Sequence, residues 1–151
     1  MKQRTVKTKL ANIECIENDG FLIELNFVDD SIKKSDQSPL LDQVEKELLE
    51  YLDGVRKVFS VPIKLKGTEF QMDVLRAMQT IPYGEVRSYK DLAIMINRPK
   101  AARAVGNACN KNPIAIIVPC HRVIASNHKL GGYGYGVDSK IRLLKIENSE
   151  C

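Results

Sequence analysis

Residues 118–123 read Val-Pro-Cys-His-Arg-Val, and they close an apolar run that begins at Ile114. This pattern predicts a strand or extended segment, fixed in direction by proline, that presents the Cys120 thiol and the His121 imidazole together. The thiolate is the reactive form of cysteine, and a basic or cationic neighbour is one route to it at neutral pH. The stretch therefore indicates a nucleophilic cysteine site.

The composition is that of an ordinary globular protein. The chain has 151 residues, 44% hydrophobic and 28% charged, which allows one compact domain or two small ones. No apolar run approaches the length of a membrane span, and the first residues lack the hydrophobic core of a signal peptide. We therefore expect a cytoplasmic protein with no membrane partner.

The cysteines and histidines argue against a disulfide framework and against a metal centre. No C-x-x-C pair occurs among the cysteines, which are Cys15, Cys109, Cys120 and Cys151. In a cytosolic chain they are expected to be free thiols. His121 and His128 are the only histidines, so a zinc site of the usual spacing cannot be assembled. We predict no metal and no cofactor.

Basic residues are concentrated in the second half of the chain. Residues 1–65 carry 10 basic and 12 acidic side chains, a net charge of −2, and residues 66–151 carry 13 and 7, a net charge of +6. Within 86–129, eight basic residues accompany Asp91 alone. A solvated basic surface is the simpler interpretation. A nucleic-acid face is the sharper one, because phosphates favour clustered Lys and Arg.

The fold predicted for residues 1–62 is a small α/β domain, a short antiparallel sheet plus a helix. The period-two alternation of Phe21, Ile23, Leu25 and Phe27 and the turn at Asn18-Asp19-Gly20 predict strands within 4–28. Ser38-Pro39 predicts a helix start. This helix should end near Gly54 or shortly beyond, and its expected buried residues are Leu41, Val44, Leu48, Leu52 and Val55.

A mainly α-helical domain is predicted for residues 67–151. A capping box at Thr68-x-x-Gln71 precedes a helix whose buried stripe is Phe70, Val74, Leu75 and Met78. Ser88 caps a second helix with Leu92, Ala93 and Ile96 inward, and Pro99 opens a third that runs to about Cys109. Two helices separated by a short break are the outline of a helix-turn-helix. A final helix is expected at 139–147.

Two further stretches each allow two interpretations. Residues 101–106 read Ala-Ala-Arg-Ala-Val-Gly, which suits a tight helix–helix contact or a helix that enters a narrow DNA groove with Arg103 as its probe. Residues 131–136 read Gly-Gly-Tyr-Gly-Tyr-Gly and match no phosphate-binding motif. They suit a flexible loop or close approach to a planar ligand, with Tyr133 or Tyr135 available for stacking.

Together these stretches resemble the O6-alkylguanine-DNA alkyltransferases, or methylated-DNA–protein-cysteine methyltransferases. The first 65 residues are similar only in outline, to the small N-terminal α/β domain of that family. The specific matches fall in order across residues 70–147: Pro82-Tyr83-Gly84-Glu85-Val86, Ser88-Tyr89-x-x-Leu92-Ala93, Ala101-Ala102-Arg103-Ala104-Val105-Gly106, Asn112-Pro113, Pro119-Cys120-His121-Arg122-Val123, Gly131-Gly132-Tyr133-Gly134 and Lys140-x-x-Leu143-Leu144-x-x-Glu147.

The resemblance implies single-turnover DNA repair (EC 2.1.1.63). An alkyl group, here methyl, would pass from O6 of guanine in double-stranded DNA to the protein's own cysteine, with the protein acting as a monomer. It implies Cys120 as the nucleophile, His121 as the base that deprotonates it through a water, and Glu147 as the group that orients and charges His121. Asn112 would tie the recognition helix to the active-site loop.

The resemblance also implies base flipping, since the O6 carbon cannot be attacked inside a duplex. Tyr89 would crowd the target phosphate and Arg103 would fill the vacated stack. The carbonyls of Cys120 and Val123 would read the guanine amino group, while Tyr89 and the Gly134 amide donate to the ring nitrogen and O6. The remaining residues expected to bind DNA or base are Ala102 and Tyr133.

Two positions depart from the pattern of some family members. Ala115 stands where some have a proline that lines the pocket, and Tyr135 stands where some have glycine. If Tyr135 overhangs the pocket mouth, bulky alkyl groups such as benzyl would be poorly accepted. A Tyr135 that points to solvent is the alternative. Methyl transfer is expected in either case.

Three other functions would each explain only part of the sequence. A lesion sensor of the same fold would bind DNA without transfer, but such relatives carry tryptophan in place of the reactive cysteine, and this chain has Cys120 and no Trp. A cysteine hydrolase could use Cys120, His121 and Asn112, but it gives the helix-turn-helix and the basic segment no role. A transcription factor leaves the Pro-Cys-His-Arg stretch without a purpose.

Overall fold

The computed structural model describes residues 1–29, 34–125, 127 and 129–148. The chain divides into two compact units, Met1–Leu65 with Pro113–Ala115, and Lys66–Asn112 with Ile116–Cys151. His128 and Cys151, which the sequence analysis names, lie outside the described residues. No helix in the described part of the chain is long and apolar enough to span a membrane.

The first unit contains a three-stranded antiparallel sheet and one helix. Strand β1 (Lys2–Lys7) pairs with β2 (Asn12–Asn18), which pairs with β3 (Phe21–Val28). Asp19 and Gly20 form the predicted turn, with φ of 51° and 81°, as two-residue hairpin turns with a twist that matches their strands require. Helix α1 (Pro39–Leu52) begins where Ser38 Oγ accepts a hydrogen bond from Leu41 N at 3.1 Å.

Two details of the first unit differ from the prediction. Leu22 and Leu25 are fully buried while Phe21 is exposed, because the register shifts so that Ile16 faces Glu24 and Glu17 faces Leu22. The extra residue, Ile23, breaks the period of two. Val55 is 75% exposed, because α1 ends at Leu52, before that position could reach the buried face.

The second unit opens with the predicted capping box. Thr68 Oγ1 accepts a hydrogen bond from Gln71 N at 3.1 Å, and Gln71 Oε1 accepts one from Thr68 N at 3.0 Å. Helix α2 (Glu69–Gln79) follows and buries the predicted stripe except Phe70, which is half-buried. The buried residues of α2 are Val74, Leu75, Ala77 and Met78.

Helices α3 (Tyr89–Met95) and α4 (Ala102–Asn110) are joined by a short turn. Ser88 caps α3 as predicted. Asn97, with φ of 62°, terminates α3, and Arg98 N donates to Ala93 O at 2.8 Å, the arrangement of a Schellman motif. Ile96 is therefore a half-buried cap residue. The predicted helix start at Pro99 is wrong, because residues 98–101 close a turn before α4 begins.

The apolar segment before Cys120 pairs only at Ile114, which forms an isolated parallel bridge with Leu25, and the rest is not the predicted strand or extended segment. Residues 115–117 form turns, and Ile116 has φ of 70°. Asn112 Nδ2 donates to Val118 O at 2.7 Å, so a side-chain amide takes the place of a strand partner. A 3-10 turn (Cys120–Arg122) follows, and β5 (Val123–Ile124) then pairs in parallel with β4 (Arg87–Ser88). Helix α5 (Val137–Ile146) begins two residues before the predicted start.

Candidate active site

The 3-10 turn and the C-terminal end of α5 meet at a buried carboxylate. Glu147 is the C-cap residue of α5 and is 2% exposed. His121 Nε2 lies 2.8 Å from Glu147 Oε2, and the His121 side chain is fully buried. The fold thus brings together two predicted site residues that are 26 positions apart in the chain.

Arg122, for which no individual role is predicted from the sequence, completes this cluster. Its Nε donates to Glu147 Oε1 and its Nη2 to Glu147 Oε2, both at 2.9 Å, a bidentate pair of the strong kind. Its Nη1 donates to Ile81 O at 2.7 Å, and Gly84 N donates to Glu147 Oε1 at 3.4 Å. The signal available in the sequence was an arginine inside an apolar stretch, since buried arginine requires an anionic partner.

The cluster keeps His121 neutral at rest. Burial lowers the pKa of His121; the hydrogen bond and charge of Glu147 oppose this, and the charges of Arg122 and Lys140 add to it. A neutral imidazole carries one N–H. Because Nε2 faces a carboxylate that can only accept, we assign that hydrogen to Nε2. Nδ1 is then the basic nitrogen of His121.

Cys120 is a protonated thiol in this environment. It begins the 3-10 turn and is 6% exposed. Burial raises the pKa of Cys120, while hydrogen bonding with the Asn112 and Tyr133 side chains and the charge of Lys140 act in the opposite direction. A group that removes the proton is therefore needed before the sulfur can act as a nucleophile.

Two other cysteines, Cys15 and Cys109, are buried thiols like Cys120. Burial raises the pKa of Cys15 and of Cys109 to about 12 each. The charge of Glu45 adds to this shift at Cys15, and negative charge on Cys120, once its proton is removed, adds to it at Cys109. Both thiols are poor nucleophiles at neutral pH.

Tyr89, the first residue of α3, is held between two glycines. A Cβ at Gly106 would lie 3.8 Å from its ring, and a Cβ at Gly131 would lie 2.9 Å from its hydroxyl oxygen. The hydroxyl donates to Gly132 O at 3.4 Å. Burial raises the pKa of Tyr89, with further contributions from Cys109 and Cys120, so the phenol is a hydrogen-bond donor at neutral pH.

The other residues expected to contact DNA or base lie on α4, on β5 and on the loop before α5. Ala102 begins α4 and is half-buried, and Arg103 beside it is exposed. The Tyr133 and Tyr135 rings meet edge to face, with centroids 5.5 Å apart, and both side chains are half-buried. Gly134 is exposed, whereas Val123 is fully buried. Ala115 belongs to the first unit, where its N–H donates to Leu25 O at 3.0 Å.

Comparison with known proteins places this cluster inside a family match. Residues 69–149 match the model described as "6-O-methylguanine DNA methyltransferase, DNA binding domain". A "Methylated-DNA--protein-cysteine methyltransferase" of Mycolicibacterium paratuberculosis is 42% identical over 152 residues, 97% of this chain and 92% of that protein. One of Methanosarcina acetivorans is 53% identical over 107 residues, 71% of this chain and 69% of that protein.

Solved structures that are similar to this chain include two that are in complex with DNA. The crystal structure of Mycobacterium tuberculosis OGT in complex with DNA has a TM-score of 0.90 at 39% identity and covers 98% of this chain and 93% of its own. S. pombe Atl1, in complex with damaged DNA containing O6-carboxymethylguanine, has a TM-score of 0.51 at 32% identity. It covers 56% of this chain and 81% of its own.

Proposed function

Because the chain belongs to the O6-methylguanine-DNA methyltransferase family, we propose that it repairs DNA by moving a methyl group from guanine O6 to its own cysteine. The protein is then consumed in a single turnover. The observation that carries the proposal is the buried cluster in which Cys120 adjoins His121, itself 2.8 Å from Glu147. Such a cluster supplies a nucleophile, a base and an orienting acid.

The reaction follows from the protonation states of this cluster. His121 Nδ1 accepts the Cys120 proton through a bridging water, and Glu147 stabilises the imidazolium that forms. The Cys120 sulfur then bonds to the methyl carbon, and the bond from that carbon to O6 breaks. Guanine leaves as an anion, with donors from the Tyr89 hydroxyl and the Gly134 amide at the ring nitrogen and O6. The Tyr89 hydroxyl has one hydrogen, so its bond to Gly132 O gives way to the guanine in this step. The Cys120 and Val123 carbonyls accept from the guanine amino group.

Double-stranded DNA is the proposed partner, bound by the α3–α4 pair as a helix-turn-helix. The net charge of +6 over residues 66–151 supports this assignment, because clustered basic side chains bind phosphates. The exposed Arg103, with Ala102 beside it, enters the duplex and fills the space of the flipped guanine. Asn112 joins the end of α4 to the turn before Cys120 through its bond to Val118 O. We propose that the protein acts as a monomer in the cytoplasm.

The decisive experiment weighs the intact protein after incubation with a duplex that contains O6-methylguanine. A gain of one methylene, mapped to Cys120, supports the proposal, and unmodified duplex is the matched control. Tight binding of the lesion without any gain in mass would identify a lesion sensor. A gain located on Cys15 or Cys109 would overturn the assignment of Cys120.

A further inference from the structure

Lys140 is a fully buried charged residue to which the reaction above gives no role. It lies on α5 and is 0% exposed. Its Nζ donates to Val123 O at 2.6 Å, to Gly132 O at 3.2 Å and, at shorter range, to Leu130 O. An ammonium has three N–H donors, as many as there are carbonyl acceptors here.

These carbonyls belong to two segments of the active site. Val123 directly follows the Cys120–Arg122 turn. Leu130 and Gly132 belong to the glycine loop, which we define as residues 130–134. The side chain of Lys140 therefore ties the glycine loop to the segment that follows the reactive cysteine.

Lys140 also adjoins Tyr89. Its Nζ lies 6.0 Å from the centroid of the Tyr89 ring, within the range of a cation–π contact. The same ring packs against Gly131, where a Cβ would come within 2.9 Å, and its hydroxyl donates to Gly132 O. Lys140, Tyr89 and the glycine loop thus form one connected set of contacts, which we call the lysine clamp.

Stability alone does not account for a buried lysine at this place. Taking an ammonium out of water is costly, and well-packed apolar residues often replace buried charges without loss of stability. Helix α5 already buries Leu143 and Leu144. We therefore attribute the buried ammonium to the backbone carbonyls that it holds in place. Its positive charge also acts to lower the pKa of the Cys120 thiol.

We propose that Lys140 is a positioning residue of the transfer site, whose buried ammonium fixes Tyr89 and the glycine loop in the arrangement that receives the guanine. This inference deepens the proposed function, because it names what holds the base-contacting groups in place. Lys140 itself touches neither the sulfur nor the substrate in this mechanism. It acts through Tyr89 and the backbone of the loop.

The test compares Lys140→Met, which keeps an unbranched side chain, with Lys140→Arg, which keeps charge and donors. Lys145→Met on the exposed side of α5 is the matched control. At saturating methylated duplex, we expect the single-turnover rate of Lys140→Met to fall about 100-fold, the effect of a displacement of about 1 Å in a reacting site. Affinity for unmodified duplex should stay within about twofold, since the exposed phosphate-binding residues are unchanged. Lys140→Arg should recover at least about tenfold of the rate.

Two further readouts separate positioning from other roles. The rate at which iodoacetamide alkylates Cys120 should fall much less than the rate of methyl transfer. Equal losses in the two reactions would show that Lys140 acts only through the thiol and would overturn the proposal. A lower melting temperature with an unchanged saturating rate in the folded protein would show a merely structural role and would also overturn it.

Amide hydrogen exchange decides the inference even if the protein transfers no methyl group. Exchange of residues 130–134 should rise at least about tenfold in Lys140→Met, while exchange in α2 stays unchanged. A protein that never gains a methyl but shows this exchange pattern would refute the proposed function and leave the clamp standing. Unchanged exchange in the glycine loop would refute the clamp.

Gly131→Ala tests the same clamp if Lys140→Met fails to fold. Its methyl group would meet the Tyr89 hydroxyl at 2.9 Å, at a residue whose φ is +69°, a conformation that side chains rarely adopt. We expect slower transfer with duplex affinity retained. A folded Gly131→Ala protein that transfers at the unmodified rate would count against the clamp.

Discussion

Among the described residues, each unit buries a glutamate against an arginine, and these two glutamates behave differently. Glu47 in the first unit is 3% exposed, and Glu147 in the second is 2% exposed. Glu47 accepts from Ser60 N at 2.8 Å, from Ser60 Oγ at 2.5 Å and from Gln43 Nε2 at 2.9 Å. Glu147 accepts from Arg122 and lies 2.8 Å from His121.

The two glutamates differ in whether a hydrogen-bond partner can change its protonation state near neutral pH. Ser60 and Gln43 do not change protonation state near neutral pH, so Glu47 can only pin the chain after α1 to that helix. Its arginine, Arg56, is 3.9 Å away and bonds mainly to Glu50 at 3.0 Å. His121 can take a proton, and it directly follows Cys120. A titratable partner therefore gives Glu147 a means of assisting proton transfer that Glu47 lacks.

The largest effect should come from the sulfur itself. Cys120→Ser should abolish methyl transfer and leave duplex binding nearly intact, because a serine hydroxyl forms no comparable anion at neutral pH. Intact mass and duplex affinity measure the two properties. Cys15→Ser and Cys109→Ser should still transfer, and Cys151→Ser, outside the described residues, carries the same expectation. Measurable transfer by Cys120→Ser would remove Cys120 from the nucleophile role.

Arg103→Ala should show the next largest effect. Because Arg103 offsets lost stacking only when a duplex is opened, at a cost of a few kcal/mol, we expect repair of duplex DNA to slow about 10- to 100-fold. Reaction with free O6-methylguanine base should change little. Parallel single-turnover rates on the two substrates measure this, and equal losses would place Arg103 in the chemistry or the folding.

Tyr135→Gly tests the width of the pocket. If Tyr135 overhangs the site, benzylguanine should inactivate the unmodified protein slowly and the variant about tenfold faster, since removing the ring frees volume for the benzyl group. Fast inactivation of both proteins would mean that Tyr135 points away from the substrate.

Ala115→Pro should increase benzylguanine sensitivity, because it restores the proline that lines the pocket of some family members. The substitution should also destabilise the protein. The Ala115 N–H donates to Leu25 O at 3.0 Å, and proline has no N–H. The unfolding free energy should fall by about 1–3 kcal/mol for the acceptor left unsatisfied. Chemical denaturation measures it, and an unchanged midpoint would contradict this expectation.

The pH dependence of stability should separate His121 from Glu47. Burial lowers the pKa of His121 in the folded state, so the unfolded state binds the proton first as the pH falls. Stability should therefore decline below about pH 6.5 by up to about 1.4 kcal/mol per pH unit. Burial raises the pKa of Glu47, but bonds from Ser60 and Gln43 outweigh it and lower the pKa. Its contribution should be lost only as the pH falls below about 4.3.

Denaturation at a series of pH values, with Glu47→Gln alongside, tests this separation. The variant should keep the decline that begins near pH 6.5 and lose part of the decline below about pH 4.3. Loss of the higher step in Glu47→Gln would contradict the assignment of that step to His121.

Features that could be predicted from the sequence are those that a few neighbouring residues determine. The capping boxes at Thr68 and Ser88 and the Asp19-Gly20 turn each need contacts within four positions, so local chemistry is sufficient. The β-bulge at Ile23 and the turns at 115–117 were not predicted. For the turns the reason is that an apolar run fits a strand and a buried turn equally well.

The missed parts of the candidate site depend on long-range contacts. Arg122 reaches Glu147 across 25 positions and Ile81 across 41, and no local pattern encodes these distances. The sequence identifies Lys140 only as part of a family motif and predicts no contacts for it. Its burial and its carbonyl partners follow from the packing of α5, which determines where the ammonium lies.

Glu147→Gln and Glu47→Gln, compared side by side, test whether Glu147 acts in the chemistry while Glu47 acts only in the fold. The measurement is the single-turnover methyl-transfer rate at saturating duplex, with the unfolding free energy of each variant measured alongside. Glu147→Gln should slow transfer about 100-fold and lose about 3–5 kcal/mol of stability, since Arg122 is left without its counter-charge. Glu47→Gln should lose about 1–3 kcal/mol and transfer at the unmodified rate. Equal transfer rates in the two folded variants would show that Glu147 has no role in the chemistry.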